Sequence, residues 1–227
     1  MKLAAYAVMC AIWGTTWLVI KIGLQTTPPI SGVGLRFILA GAFLYAIAMT
    51  TKRGWPPRNV PWKLVMVLSA TLFGANYVLT YIAETHLSSG LVAVLFGTMP
   101  FFTFGLGHFM VGERTTPAVW IGATCAFSGV AIISLGGTAQ GSLLFALAAI
   151  AAALSSAFAN VYAKRHSAHE PLLVLPPAML VAGVILFVAG IVIERPDASA
   201  FSGRALGAVL YLSIAGSGIA FFLNMWL

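Results

Sequence analysis

Tryptophan and lysine side chains recur at helical spacing near the start of the chain, inside a long apolar stretch. Trp13, Trp17 and Lys21 are each four residues apart, so on a helix they share one face. An aromatic wall topped by a cation suits the mouth of a cavity that receives organic molecules with an apolar part. The alternative is that Lys21, close to the end of its stretch, extends to the lipid headgroups.

Two further charged side chains lie within apolar stretches. Arg36 is six residues into its stretch, a depth of about 9 Å at a rise of 1.5 Å per residue. Charged groups at membrane depth need a partner or water, and by default they indicate a functional site. Glu84 is the acid that topology brings nearest. A structural ion pair of Glu84 with Arg36 or with Lys21 is at least as well supported as a substrate role.

Uncharged polar side chains occupy two more apolar stretches. Asn76 and Tyr77 lie together in one, and Ser156 and Asn160 form a polar strip in another. These side chains either line a cavity or form hydrogen bonds between helices, which contribute about 0.6 kcal/mol each in membranes. The residues alone support both interpretations equally.

Pro100 lies inside an apolar stretch that also contains Thr98 and Thr103. A proline removes one backbone N–H and frees the carbonyl four residues earlier, here that of Phe96. We expect the two threonine hydroxyls to compensate. The pattern predicts a kink that serves as a gate, although proline is also common in ordinary membrane helices.

The sequence contains no recognisable catalytic, metal or cofactor motif. Asp197, the single aspartate, lies in a loop, and both a His-Glu-x-x-His motif and a phosphate-binding glycine loop are absent. We therefore predict a protein that is not an enzyme, with no metal and no cofactor. Proton coupling would depend on Glu84, His86 or His108, and facilitated diffusion stays open as an alternative.

The composition places these residues in a membrane. Of 227 residues, 60% are hydrophobic and 7% are charged, against roughly 25% charged in soluble domains. This excludes a soluble enzyme and a nucleic-acid-binding protein, and it makes the lipid bilayer the main partner. Crossing the hydrocarbon core takes about 20 apolar residues. Eight spans of that length are predicted: 3–24, 30–50, 64–83, 88–110, 117–136, 142–163, 172–193 and 206–227.

Positive charge is distributed unevenly between alternate ends of these spans. Eight of the twelve Lys and Arg residues lie on the side of the N-terminus, four of them in the loop 51–63, and two lie on the other side. Short cytoplasmic loops carry the excess of Lys and Arg. We therefore predict a cytoplasmic N-terminus.

Two pairs of spans match at nearly the same offset. Shifting by 143 residues places Ser156, Asn160 and Lys164 on Trp13, Trp17 and Lys21, and an offset of 142 places Gly216 on Gly74. The unit has five spans, so the second copy runs inverted, as in many secondary transporters. We predict a first repeat over 1–136 and a second over 142–227, which holds three of its five helices. A complete second repeat would end at about residue 278, so we expect the chain to be truncated.

Several short motifs, in this order, resemble the EamA branch of the drug/metabolite transporter superfamily. They are the stretch 12–21 (IWGTTWLVIK), Arg36-Phe37, Ser89-Gly90-Leu91 with Pro100, and Gly112-Glu113-Arg114. The resemblance implies ten helices in two five-helix repeats, outward transport of small metabolites, and a cavity lined by helices 1, 3, 4, 6 and 8. Together with helix-face geometry, it assigns these substrate-binding residues: Trp13, Trp17, Lys21, Asn76, Tyr77, Thr98, Ser156, Asn160 and Phe221.

We therefore predict an all-α, polytopic membrane transporter in a bacterial-type inner membrane. It would export small amphipathic solutes such as amino acids, with Pro100 as a gate and Arg36 and Glu84 as an ion pair. A homodimer is one possible assembly. The competing hypothesis is a non-transporting membrane protein, either a scaffold or an intramembrane enzyme. A scaffold has no need of Asn76 and Asn160 at membrane depth.

Overall fold

Helices form all the regular structure in the described part of the computed structural model, which comprises residues 2–50, 59–135, 143–166, 170–201 and 203–227. A helix satisfies its backbone hydrogen bonds internally, which the hydrocarbon core of a membrane requires. The bounds are α1 Lys2–Gly23, α2 Pro29–Thr50, α3 Trp62–His86, α4 Ser89–Val111, α5 Pro117–Leu135, α6 Leu143–Arg165, α7 Pro171–Glu194 and α8 Gly203–Trp226.

The eight predicted spans are confirmed as eight helices. Within the described ranges, seven of them are long and apolar enough to cross a membrane. The remaining one, α5, is a 19-residue helix without a charged residue. Lys52, Arg53 and Arg58, which contribute to the charge of the loop 51–63, lie outside the described residues, as do positions 136 and 142 at the predicted repeat ends.

Three of the helices depart from regular α geometry. Helix α3 contains a π-helical segment, Ser69–Ala75, and α8 contains another, Leu212–Ile219. Helix α4 consists of two segments, Ser89–Phe96 and Met99–Val111. These irregularities fall in helices to which the sequence assigns substrate-binding residues.

The chain divides into two compact units that do not follow the chain order. The first comprises Met1–Gly74 and Ala168–Leu227, and the second comprises Ala75–Ser167. Helix α3 therefore passes from the first unit to the second within its π segment. The repeat boundaries 1–136 and 142–227 describe a different division, along the sequence, and stay a prediction.

Helices α2 and α7 form the antiparallel core of the first unit, and glycines allow their backbones to approach closely. A Cβ atom added to Gly34 would lie 2.3 Å from the backbone nitrogen of Phe187, and one added to Gly190 would lie 2.4 Å from that of Ser31. Gly183 faces the backbone of Ile38 at 2.6 Å in the same way. Small residues at helix interfaces drive association in lipid, where burial of apolar surface cannot.

Glu194 fixes one end of this helix pair. Its carboxylate accepts hydrogen bonds from the backbone N–H groups of Ile30 and Ser31 at 2.7 and 2.8 Å, and from the hydroxyl of Ser31 at 2.7 Å. The first N–H groups of a helix have no partner within the helix. The last residue of α7 thus caps the beginning of α2.

Helix α1 packs against α8 in the same unit, also antiparallel. The hydroxyls of Thr15 and Tyr211 are 2.6 Å apart, and Gly23 faces Ala208. The antiparallel pairs α1–α8 and α2–α7 agree with helices that alternate in direction through a membrane.

Alanines of α6 form the core of the second unit. Ala149, Ala153 and Ala157 are fully buried. They recur every four residues, so they lie on one face of the helix, and small residues on one face favour close packing in membranes. Helix α6 packs against the second segment of α4 and against the part of α3 after Ala75. The cysteines do not contribute to either core. Cys10 and Cys125 are free and exposed.

Candidate functional site

Trp13 connects the predicted site face of α1 to α8 in the first unit. Helix α1 is unbroken, so Trp13, Trp17 and Lys21 share a face as their spacing predicts, and all three are half-buried. The indole N–H of Trp13 donates to the carbonyl of Gly216 at 3.3 Å. Its ring meets that of Phe221 edge to face at 5.6 Å between centroids. Two of the predicted site residues are therefore brought together.

The aromatic contacts continue from Phe221 into the core of the first unit. Phe221 meets Phe73 at 5.2 Å, and Phe73 meets Phe37 at 5.1 Å, both edge to face. Such pairs are favourable beyond the burial of their area. The result is a continuous aromatic row that runs from the half-buried Trp13 to the fully buried Phe37.

Arg36 lies beside this row and is 1% exposed. Its Nε–H donates to the hydroxyl of Ser217 at 2.8 Å, and its guanidinium lies near Gly216, where an added Cβ would be 3.4 Å from Nη2. Trp13 and Arg36, from two different helices, thus hold adjacent residues of the π segment of α8. Ser217 was not predicted as a partner, and the ion pair of Arg36 with Glu84 stays a prediction.

Substitution of Arg36 tests its role in holding α8. Arg36→Ala should lower the free energy of unfolding by about 2 kcal/mol or more, because it leaves a cavity and removes a buried hydrogen bond. Ser217→Ala removes only the hydrogen bond and should cost about 0.6 kcal/mol. Thermal unfolding in detergent measures both. An Arg36→Ala protein as stable as the unaltered one would show that Arg36 does not hold the fold.

The remaining predicted residues belong to the second unit. On α3, Asn76 is buried and its side-chain oxygen accepts from the hydroxyl of Thr80 at 3.5 Å, and Tyr77 is half-buried. Further along, Glu84 is fully buried and accepts from the hydroxyl of Ser89 at 3.1 Å. The part of α3 after the π segment therefore carries Asn76, Thr80 and Glu84 inward, whereas Thr85 and His86 at its end are exposed.

Helix α6 contributes a polar strip and α4 contributes an interruption. The Asn160 amide donates to the Ser156 carbonyl at 2.9 Å. In α4 the helix stops after Phe96 and resumes at Met99, with Pro100 in its first turn. The Thr98 hydroxyl donates to the carbonyl of Leu95 at 2.6 Å, not to that of Phe96 as the sequence suggested. Broken helices of this kind occur near transporter binding sites.

An ion pair joins α6 to the loop after α4 at one end of the second unit. Lys164 Nζ lies 2.6 Å from Glu113 Oε1. Glu113 belongs to the Gly112-Glu113-Arg114 motif, and Lys164 is the residue that the 143-residue offset matches to Lys21. Glu113 therefore has a structural partner in the neighbouring helix.

Three features of the site were missed from the sequence. They are the hydrogen bonds of Trp13 to Gly216 and of Arg36 to Ser217, the π segments, and the close approach of α2 and α7. The close approach of α2 and α7 could have been inferred from their glycines. Gly34 and Gly41 are seven residues apart, and so are Gly183 and Gly190. That spacing places each pair on one helix face.

The family model described as the EamA-like transporter family matches residues 2–135. The "Uncharacterized inner membrane transporter YedA" of Escherichia coli K12 is 29% identical over 216 residues, which cover 95% of this chain and 70% of that protein. "Protein PagO" of Salmonella typhimurium LT2 is 30% identical over 88% of this chain and 67% of its own length.

Two other proteins are similar to this chain. A "Probable amino-acid metabolite efflux pump" of Escherichia coli K12 is 31% identical over 70% of this chain and 52% of that protein. A crystal structure with 20% identity superposes with a TM-score of 0.80 and covers 99% of this chain and 77% of its own. That likeness shows a shared fold.

Proposed function

The chain belongs to the EamA-like transporter family, and from this premise we propose that it exports small amphipathic organic solutes, amino acids among them. The single observation that carries this proposal is the half-buried face of Trp13, Trp17 and Lys21, joined through Trp13 to Phe221. Indole rings attract apolar groups and cations, and a lysine attracts a carboxylate. A similar protein named as a probable amino-acid metabolite efflux pump supports the same solute class.

The proposed mechanism is alternating access between two inverted five-helix repeats, with the solute near the membrane midplane. The packing inside each unit supports it. The repeat offset matches helix 1 with helix 6 and helix 3 with helix 8. In the first unit α1 packs against α8, and in the second α3 packs against α6. Under this offset the α1–α8 pair corresponds to the α6–α3 pair. Helix α2 corresponds to α7, which is also the helix it packs against.

A panel of labelled solutes tests the proposed function. The full-length protein would be reconstituted in vesicles and supplied with aromatic, aliphatic and acidic amino acids, a sugar and rubidium ion. We expect uptake above that of empty vesicles for the amino acids with apolar side chains, and background uptake of sugar and rubidium. Background uptake of every amino acid would reject the proposed substrate class and favour the non-transporting alternative.

The membrane orientation is a separate prediction. In a bacterial inner membrane, the positive charge of the loop 51–63 should hold the N-terminus in the cytoplasm. Single cysteines would be introduced at Arg58 and Ser199 in a background without Cys10 and Cys125, the two cysteines of the chain, so that each variant carries one thiol. An impermeant maleimide added outside intact cells should label the cysteine at 199 alone. Labelling at both positions from outside would contradict the topology.

A further inference from the structure

Two π-helical segments occur in the described part of the chain, in the helices that the repeat offset matches. They are Ser69–Ala75 in α3 and Leu212–Ile219 in α8. Fewer than about 1% of residues in proteins adopt π geometry, and such segments are frequent at functional sites. Two of them at matching places in one chain therefore require a common explanation.

Both segments contain the pattern Ser-x-x-x-x-Gly. It reads SATLFG at 69–74 and SIAGSG at 213–218, so the serines and the glycines are both 144 residues apart. The glycine that corresponds to Gly74 is thus Gly218, two residues beyond Gly216. The shared pattern points to a common local cause for the two segments.

The serines of the two segments form the same hydrogen bond. Ser69 can donate to the carbonyl of Val65 at 2.8 Å or to that of Ala178 on α7 at 2.9 Å, and Ser213 donates to the carbonyl of Val209 at 2.6 Å. The bond to the carbonyl four residues earlier is the one that the two serines share. A serine bonded to the carbonyl four residues earlier competes with the backbone N–H for that oxygen and bends a helix. Both serines are buried, so water cannot replace the bond.

The glycines accommodate the wider turn that results. A Cβ on Gly74 would lie 2.8 Å from the carbonyl oxygen of Ser69, five residues earlier. On Gly218 it would lie 3.4 Å from the Ser213 oxygen and 2.7 Å from the Phe43 ring. In each segment the serine opens the turn, and the glycine leaves space for the carbonyl five residues before it.

The predicted substrate-binding residues begin directly after the π segments. Asn76 and Tyr77 follow the first, and Phe221 follows the second after one residue. A π segment adds one residue to a helix. Its conversion to α geometry would turn everything beyond it by about 100° and move it by about 1.5 Å. The orientation of Asn76, Tyr77 and Phe221 therefore depends on these two segments.

We propose that Ser69 and Ser213, each with its glycine, are positioning residues that set the rotation of the substrate-facing parts of α3 and α8. The division of the chain supports this for α3, because the helix leaves the first compact unit between Gly74 and Ala75. The proposal rests on the proposed function in so far as Asn76, Tyr77 and Phe221 contact solute. The serines themselves do not contact it.

Kinetics of serine variants test the proposal in reconstituted vesicles. Ser69→Ala and Ser213→Ala should each raise the transport KM about threefold or more, because losing one hydrogen bond in a membrane has an effect of that size. The amount of folded protein should be unchanged. Ser69→Thr and Ser213→Thr keep the hydroxyl and should restore the KM. Thr50→Ala is the control, because Thr50 bonds a carbonyl of its own helix away from any π segment.

Cysteine reactivity gives a second measurement that does not require transport. In a background without Cys10 and Cys125, Tyr77→Cys lies beyond the π segment of α3 and Met66→Cys lies before it. Ser69→Ala should change the rate of maleimide labelling at 77 and leave that at 66 unchanged. Equal labelling at 77 with and without the Ser69 hydroxyl would overturn the proposal, as would threonine variants whose KM matches that of the alanine variants. If the unaltered protein transports no solute but Ser69→Ala still changes labelling at 77, the proposed function is rejected and the positioning role of Ser69 stands.

Discussion

Replacement of Gly34 with alanine should leave almost no folded protein in the membrane. The new Cβ would lie 2.3 Å from the backbone nitrogen of Phe187 and 2.5 Å from its Cα. Backbone atoms of a packed helix cannot rotate away as a side chain can, so α2 and α7 would have to separate along their length. Overpacking commonly lowers the free energy of unfolding by about 1–3 kcal/mol and sometimes by more. Because the added Cβ meets backbone atoms, we expect the loss for Gly34→Ala to lie at the upper end of that range or above it.

Size-exclusion chromatography of fluorescently tagged protein in mild detergent would measure this effect. Gly190→Ala, which faces the backbone of Ser31, should behave like Gly34→Ala. Gly14→Ala is the matched control, because an added Cβ there meets no atom within 4 Å. If Gly34→Ala gave the same monodisperse peak and melting temperature as Gly14→Ala, the close packing of α2 against α7 would be wrong.

Trp17→Ala and Lys21→Ala should each reduce the initial rate of solute transport about tenfold or more, equivalent to about 1.4 kcal/mol of lost interaction. The reason is the shared face of these residues with Trp13, which contacts Phe221 and Gly216. Membrane insertion should be unchanged, because both side chains are half-buried and are not part of the α2–α7 core.

Leu18→Ala provides the control for both variants, since Leu18 lies on the same helix with its side chain 64% exposed. Rates would be compared at equal amounts of reconstituted protein. Wild-type rates in both Trp17→Ala and Lys21→Ala would show that this face of α1 does not line the transport path. The alternative, in which Lys21 extends to the headgroups, would then account for its position.

The eight helices could be predicted from the sequence because a membrane imposes a simple requirement of about 20 apolar residues per span. The burial of Ala149, Ala153 and Ala157 was predictable for a similar reason, since small residues every four positions form one packing face. These inferences use only spacing along one helix, so no knowledge of neighbouring helices is needed.

The partner of a given side chain was not predictable, because it depends on which helices meet. Arg36 required a partner, yet the serine that receives its hydrogen bond is 181 positions away. The π segments also escaped prediction, because both Ser-x-x-x-x-Gly stretches lie inside apolar runs whose length predicts an ordinary membrane helix. The division into two units was hidden because the first unit joins both ends of the chain.

Counterflow tests most directly whether the chain is a carrier for amphipathic solutes. Vesicles containing the full-length protein would be loaded with unlabelled phenylalanine and diluted into a trace of labelled phenylalanine. A site that alternates between the two sides must exchange one for the other, so the account predicts a transient accumulation of label above its external concentration. Label that never exceeds that of protein-free vesicles, across the apolar amino acids, would contradict it.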